Sequence, residues 1–89
     1  MTNTADLPNV VRSHSTRPDF TVKTVQAPAG ATIYRASWTH EGFTRGLAAT
    51  GSRTMVRWFV YDGGRYVGSH ETLTSAKDML QFTREAAAL

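Results

Sequence analysis

Cysteine is missing altogether from these 89 residues, so neither a disulfide nor a thiolate metal site can staple the fold. A reducing compartment is the expected setting. Long apolar runs are missing as well. None approaches the roughly 18 residues that a membrane-crossing helix needs, and no contact with a membrane is expected. The stretch Met1 to Pro8 contains Asp6 and has neither a basic start nor an apolar core. It does not read as a signal peptide, which makes a cytoplasmic location the expectation.

Groups that carry chemistry are also scarce. Histidine occurs only as His14, His40 and His70, and none stands at ligand spacing from another histidine or a carboxylate. His40-Glu41 and His70-Glu71 look alike, but neighbours on a strand point to opposite faces, so ordinary surface histidines are expected. The seven carboxylates are scattered, and no serine or threonine lies in a nucleophile elbow. Gly42-Phe43-Thr44-Arg45-Gly46 and Gly51-Ser52-Arg53-Thr54 miss the phosphate-loop spacing and open no helix. These absences predict a chain with no catalytic residues, no metal, no cofactor and no small-molecule substrate.

What is present is modest in amount. The net charge of +3 comes from eight arginines and two lysines against seven acids. Arginine suits phosphate and carboxylate because its planar fork binds both oxygens, yet dedicated nucleic-acid binders are often more basic. Apolar residues make up 40%, near the lower limit for a self-sufficient core, where self-association often helps.

Residues 1–17 are polar apart from Val10-Val11, and read as a mobile N-terminal arm, with residues 18–89 forming a single domain. Arg12 and Arg17 give that arm a basic end, diluted by Asp6 and Asp19. Phe20 to Val25 is β-prone, and Pro28 and Gly30 mark a turn into a second strand at Thr32 to Thr39. His40 to Arg53 carries three glycines and reads as a long loop, with an irregular strand near Gly42 to Leu47 as the alternative. The strongest signal is Thr54 to Tyr61, rich in β-branched and aromatic residues. Asp62-Gly63 supplies a type I′ turn, and Arg65 to His70 returns as the partner strand.

A helix is expected directly afterwards, with Thr72 as N-cap and Leu73 as its first residue. Leu73, Ala76, Leu80, Thr83 and Ala87 share one face at helical spacing, and that face should lie on the sheet. Met79, Phe82, Ala86 and Leu89 form a second apolar stripe beside it. Lys77, Asp78, Gln81, Arg84 and Glu85 take the wet side. The second stripe needs a cover, and a second subunit or a protein partner is one source of it. The expected fold is therefore α+β, a small antiparallel sheet of three to four strands with one C-terminal amphipathic helix packed on one face.

Strand alternation predicts two faces for the hairpin. A two-residue turn at Asp62-Gly63 places Phe59 opposite Tyr66 and gathers Met55, Arg57, Phe59, Tyr61, Tyr66 and His70 on the outward side. Val56, Trp58, Val60 and Val67 then meet the helix. Aromatic rings interleaved with arginine can stack exposed bases and pair phosphates. An aromatic outward face can equally pack beneath other strands or against an identical sheet.

The run Tyr66-Val67-Gly68-Ser69-His70-Glu71-Thr72-Leu73-Thr74-Ser75-Ala76 resembles the strand-to-helix junction of the three-stranded-sheet-plus-helix DNA-binding domains. These occur in phage-type integrases and plant ethylene-response factors. Val67, Gly68, Ser69, Glu71, Thr72 and Ala76 fit that junction, while His70 replaces its aromatic. The likeness covers about the last 35 residues. The hairpin is shorter than in those domains, and the first strand is not clearly arginine-rich. The resemblance implies side chains that enter the major groove from the sheet, here Arg57, Arg65 and Arg35.

Two functions follow as expectations. The first is a small accessory or regulatory protein that binds nucleic acid, DNA ahead of RNA, through Arg57, Arg65, Tyr66, Phe59, Tyr61 and Arg35. The second is a protein-interaction or homo-oligomeric module that uses Met79, Phe82, Ala86 and Leu89. The compact make-up would suit a phage-encoded regulator.

Overall fold

The computed structural model describes residues 7–45 and 48–88, without the side chains of 41–52. The elements are α1 (Asn9–Arg12), β1 (Thr21–Val25), β2 (Ala31–Arg45), β3 (Ala48–Asp62), β4 (Arg65–His70) and α2 (Leu73–Ala87). The four strands form one antiparallel sheet in the order β1-β2-β3-β4. The α+β architecture, the C-terminal hairpin and the helix that follows it are as the residue pattern predicts.

Alternation along the strands builds two apolar faces from one sheet. Ile33 and Val60 pair across β2 and β3, and both are completely buried with Ala76 and Leu80 of α2. Val25, Trp58, Val67 and Leu73 pack around them. On the opposite face Tyr34 pairs with Phe59 and Trp38 with Met55. That face has its own core, formed by Ala36, Trp38, Phe59 and Tyr61 together with Leu7 and Val11.

Residues 7–17 are therefore not a free arm. Leu7 and Val11 are almost fully buried against Phe59, Tyr61 and Trp38. The single helical turn of α1 begins at Pro8, whose carbonyl accepts from the Arg12 N–H at 2.8 Å. A sheet with rings on both faces needs two covers, and this segment is the second. Asp19 holds the exit from it in a left-handed conformation, φ 56°, which Asp tolerates better than most residues. Its carboxylate accepts from the Thr39 hydroxyl at 2.9 Å.

Two register details differ from expectation. The turn residues are Gly63 and Gly64, at φ 60° and 83°, with Asp62 opposite Arg65 and Tyr61 opposite Tyr66. A bulge follows, so that Val60 faces Gly68 and Trp58 faces His70. The shift by one residue moves His70 off the aromatic face and onto the helix side. Where His40 to Arg53 reads as a long loop, the backbone of 40–45 and 48–53 extends β2 and β3 with bulges between His40 and Arg45, in line with the alternative of an irregular strand that starts near Gly42.

One side chain ties the helix end to both turns. The Arg84 guanidinium donates to both carboxylate oxygens of Asp62, at 3.0 and 2.9 Å. It also donates to the Ala29 carbonyl at 2.7 Å. The Gly63 N–H donates to the Gly30 carbonyl at 2.9 Å, joining the two turns directly. Arg84 was expected on the wet side of α2, and instead it clamps the helix onto the sheet.

Candidate interaction edge

The last strand and the outer flank of α2 form one continuous border. Among the described residues β4 pairs with β3 alone, so its other side presents unpaired backbone groups. Proteins commonly guard such edges with charge. The edge strand β1 carries Lys23 at its middle, whereas β4 has only Tyr66, Val67, Gly68 and Ser69 between Arg65 and His70.

Helix α2 is well placed to overhang this edge. Thr72 caps it, its hydroxyl accepting from the Ser75 N–H at 3.1 Å. Ala76 and Leu80 fix the rotation by sinking into the core. That rotation turns Met79 and Phe82 toward the border, where they are 37% and 68% exposed, and Tyr66 is 44% exposed. These are the exposed large apolar side chains among the described residues.

Two hollows line the border. One, of about 370 Å³, lies between His70 and the helix residues Ser75, Asp78, Met79 and Phe82. The other, of about 470 Å³, lies among Arg65, Tyr66, Val67, Thr83 and Ala87. Beside the first of these hollows the His70 Nε2 atom is buried without a hydrogen-bond partner, an arrangement that normally costs free energy. A larger hollow of about 850 Å³ lies on the opposite flank of α2, against Ala27 and Pro28. Its polar lining from α2 is Lys77, Gln81 and Glu85, with Gln81 donating to Glu85 at 3.1 Å and Arg84 committed to Asp62.

The predicted nucleic-acid residues do not gather on one exposed face. Phe59 and Tyr61 are 2% and 7% exposed beneath Leu7 and Val11, which corrects their reading as outward stacking platforms. Tyr34 meets Tyr61 edge-on at 5.8 Å, and Tyr66 leans on it at 5.4 Å. Burial, and then the two neighbouring phenols, push the Tyr61 pKa above its ordinary value. Arg35 lies on the α2 side, over the Trp58 ring at 5.5 Å. Arg65 stands exposed beside the turn, and Arg57 is half-buried on the face of the N-terminal segment. Of the predicted interface set, Met79, Phe82 and Ala86 share the border, while Leu89 lies outside the described residues.

Sequence reasoning missed the His14 cluster. Its ring stacks on Trp38 at 4.9 Å and tilts against Phe59 at 5.3 Å. Arg17 donates to its Nδ1 at 3.0 Å and lies over the Trp38 ring at 5.0 Å. Burial lowers the His14 pKa, and the charges of Arg17 and Arg57 lower it further. This histidine is a packing element, contrary to the expectation of an ordinary surface group. The signal available was Leu7, Val10 and Val11, whose spacing is that of one helical face.

Among the described residues no three His, Cys, Asp or Glu side chains converge as a metal site, and no helix is long and apolar enough to cross a membrane. Comparison with family models, curated proteins and solved structures found no match for this chain.

Proposed function

We propose that this chain is a non-catalytic protein-interaction module whose binding surface is the β4 edge together with the Met79, Phe82 and Ala86 stripe. The observation that carries this reading is Phe82. Leu73 and Leu80 supply the sheet side of this helix, so a phenylalanine 68% exposed on its flank has no role in the monomer's core. A strand edge with no charge between Arg65 and His70, beside an apolar helix flank, is an arrangement that can accept an added strand. Backbone groups would pair with β4, and alternate side chains would enter the hollows beside His70 and Val67.

The test is a displayed peptide library panned on the intact chain and, in parallel, on Phe82→Glu. Enrichment of extended sequences with alternating apolar residues, lost on Phe82→Glu, is the expected result. Equal enrichment on both proteins, together with no self-association, would overturn the reading.

Nucleic-acid binding, with DNA ahead of RNA, has support from one narrower observation. Arg17 and Arg57 both lie close enough to His14 to disfavour its charge, concentrating positive potential around Trp38. If this cluster meets phosphate, Arg57→Ala lowers affinity for a labelled duplex and reduces the salt slope by about one. Anisotropy titrations at two salt concentrations decide it, and binding unchanged by the substitution removes this reading.

A further inference from the structure

We infer that the part of the helix-side sheet left bare by α2 binds single-stranded nucleic acid, with Lys23 and Arg35 holding its phosphates. This site lies apart from the β4 edge and does not depend on it. It is also on the opposite face of the sheet from the His14 cluster.

The strand register sets one side chain from each strand abreast. Lys23 pairs with Arg35, Arg35 with Trp58, and Trp58 with His70. Directly paired residues share a face, and Trp58 packs on the helix side. The next row toward the turns is Val25, Ile33, Val60 and Gly68, whose Ile33 and Val60 are buried with Ala76 and Leu80. The row on the other side is Thr21, Ser37 and Val56. Among the described residues Val56 joins neither core, so the helical cover ends at Trp58.

Lys23 and Arg35 are like charges placed directly opposite on neighbouring strands, with Cβ atoms about 5 Å apart, an arrangement that destabilises a sheet. Among the described residues neither makes an ion pair. The nearby acids lie elsewhere. Asp19 accepts from Thr39, two rows away, while Glu71 and Asp78 stand at the His70 end. An anionic ligand therefore finds its counter-charge over β1 and β2, where it relieves the repulsion.

The third member of the row selects the kind of anion. Arg35 lies over the Trp58 ring at 5.5 Å, a contact that restrains a side chain otherwise costly to order. Its planar fork can take two phosphate oxygens, and a base can stack on the guanidinium plane or on the indole. A base inside a duplex already stacks on its neighbours, so the match is to a single strand. In the row beyond, the Thr21 and Ser37 hydroxyls bond to each other at 2.6 Å. Both side chains are small and leave the floor low enough for a strand to cross. An acidic peptide would satisfy the two cations but leave the indole without a stacking partner.

Anisotropy titrations of the full chain with labelled single-stranded DNA, single-stranded RNA and duplex DNA, at two salt concentrations, test this. The expected result is micromolar binding of a single strand and weaker binding of the duplex. Lys23→Ala and Arg35→Ala should each lower affinity about tenfold and reduce the salt slope by about 0.7. Lys23 is exposed, so its variant separates binding from folding. Arg57→Ala and Phe82→Glu should bind as the wild type does, which keeps this site distinct from the His14 cluster and from the β4 edge. Trp58 emission, read in a Trp38→Phe background, should be quenched as the strand binds. The tighter of the DNA and RNA strands names the natural source. No binding at low salt would overturn the proposal, and so would binding that Lys23→Ala and Arg35→Ala leave unchanged. Loss on Arg57→Ala alone would move the site to the other face. Displacement of the strand by polyglutamate at equal charge would overturn nucleic acid as the ligand.

Discussion

The two covers of the sheet reach the same burial by opposite means. Helix α2 is fifteen residues long, capped by Thr72 at its start and clamped by Arg84 near its end. The cover on the other face has a helix of four residues with no side-chain cap. It relies on Leu7, Val11 and a histidine stacked on tryptophan. A helix of fifteen residues carries much of its own hydrogen bonding, whereas a single turn is unstable alone. The first cover is shaped locally and then docks. The second exists because the rings beneath it require one.

The largest effects expected are in the two cores. Leu80→Ala should cost about 2–5 kcal/mol, and Val11→Ala roughly 1–3 kcal/mol. Each face has its own reporter, since Trp58 lies on the α2 side and Trp38 on the other. Urea unfolding of Trp38→Phe and Trp58→Phe backgrounds should give coincident transitions, because Phe59 and Val60 are neighbours on one strand and serve opposite cores. An earlier transition seen only through Trp38 would show that the N-terminal cover opens as a separate unit.

That asymmetry also explains what the residues alone disclosed. The hairpin and α2 were legible because their signals are local: alternation, a glycine turn, a cap and a period of 3.6. The helix-side core of Val60, Trp58 and Val67 followed from the same alternation. The burial of Leu7 and Val11 was not legible, since two or three apolar residues in a polar stretch acquire meaning only when Phe59, Tyr61 and Trp38 are seen to need them. Val10-Val11 stands out in the polar stretch, but the strand pattern does not say which aromatic face is dry. The bulge before Gly68 is similar. It reverses the side on which His70 lies, and no periodicity shows it. Arg84 looked like a solvated residue because Asp62 and Ala29 reach it from distant parts of the chain. Of the border, the stripe was visible in the helical spacing, while the open β4 edge beside it required the strand order.

A smaller effect should separate the two covers at their starting residues. Thr72→Ala removes the acceptor for the Ser75 N–H and should cost about 1 kcal/mol. Asn9, at the start of α1, instead uses its side chain to accept from Arg12. Asn9→Ala should therefore change the unfolding midpoint much less than Thr72→Ala does. Equal losses at the two sites would mean that α1 contributes as an independent helix.

The smallest effect is expected from pH, and it should act on the N-terminal cover alone. Neutral His14 accepts from Arg17 through Nδ1, so protonation removes that bond and places a charge beside Arg17 and Arg57. Its pKa is accordingly held below the ordinary 6.5 in the folded chain, by burial first and then by the two arginines. Between that lowered value and 6.5 the unfolded chain binds more protons, and stability must fall as pH falls. The contribution is whole above 6.5, declines through the window and is lost once the folded histidine is itself protonated. Asp62 does not interfere: its hydrogen bonds to Arg84 lower its pKa from 3.8, so its contribution is lost only at more acid pH. Unfolding midpoints at pH 7.5 and 5 should differ for the wild type and differ less for His14→Gln, with the change seen through Trp38. An identical pH dependence in the two proteins would show that the stacked histidine is already free to ionise, and that the N-terminal cover is held by Leu7 and Val11 without it.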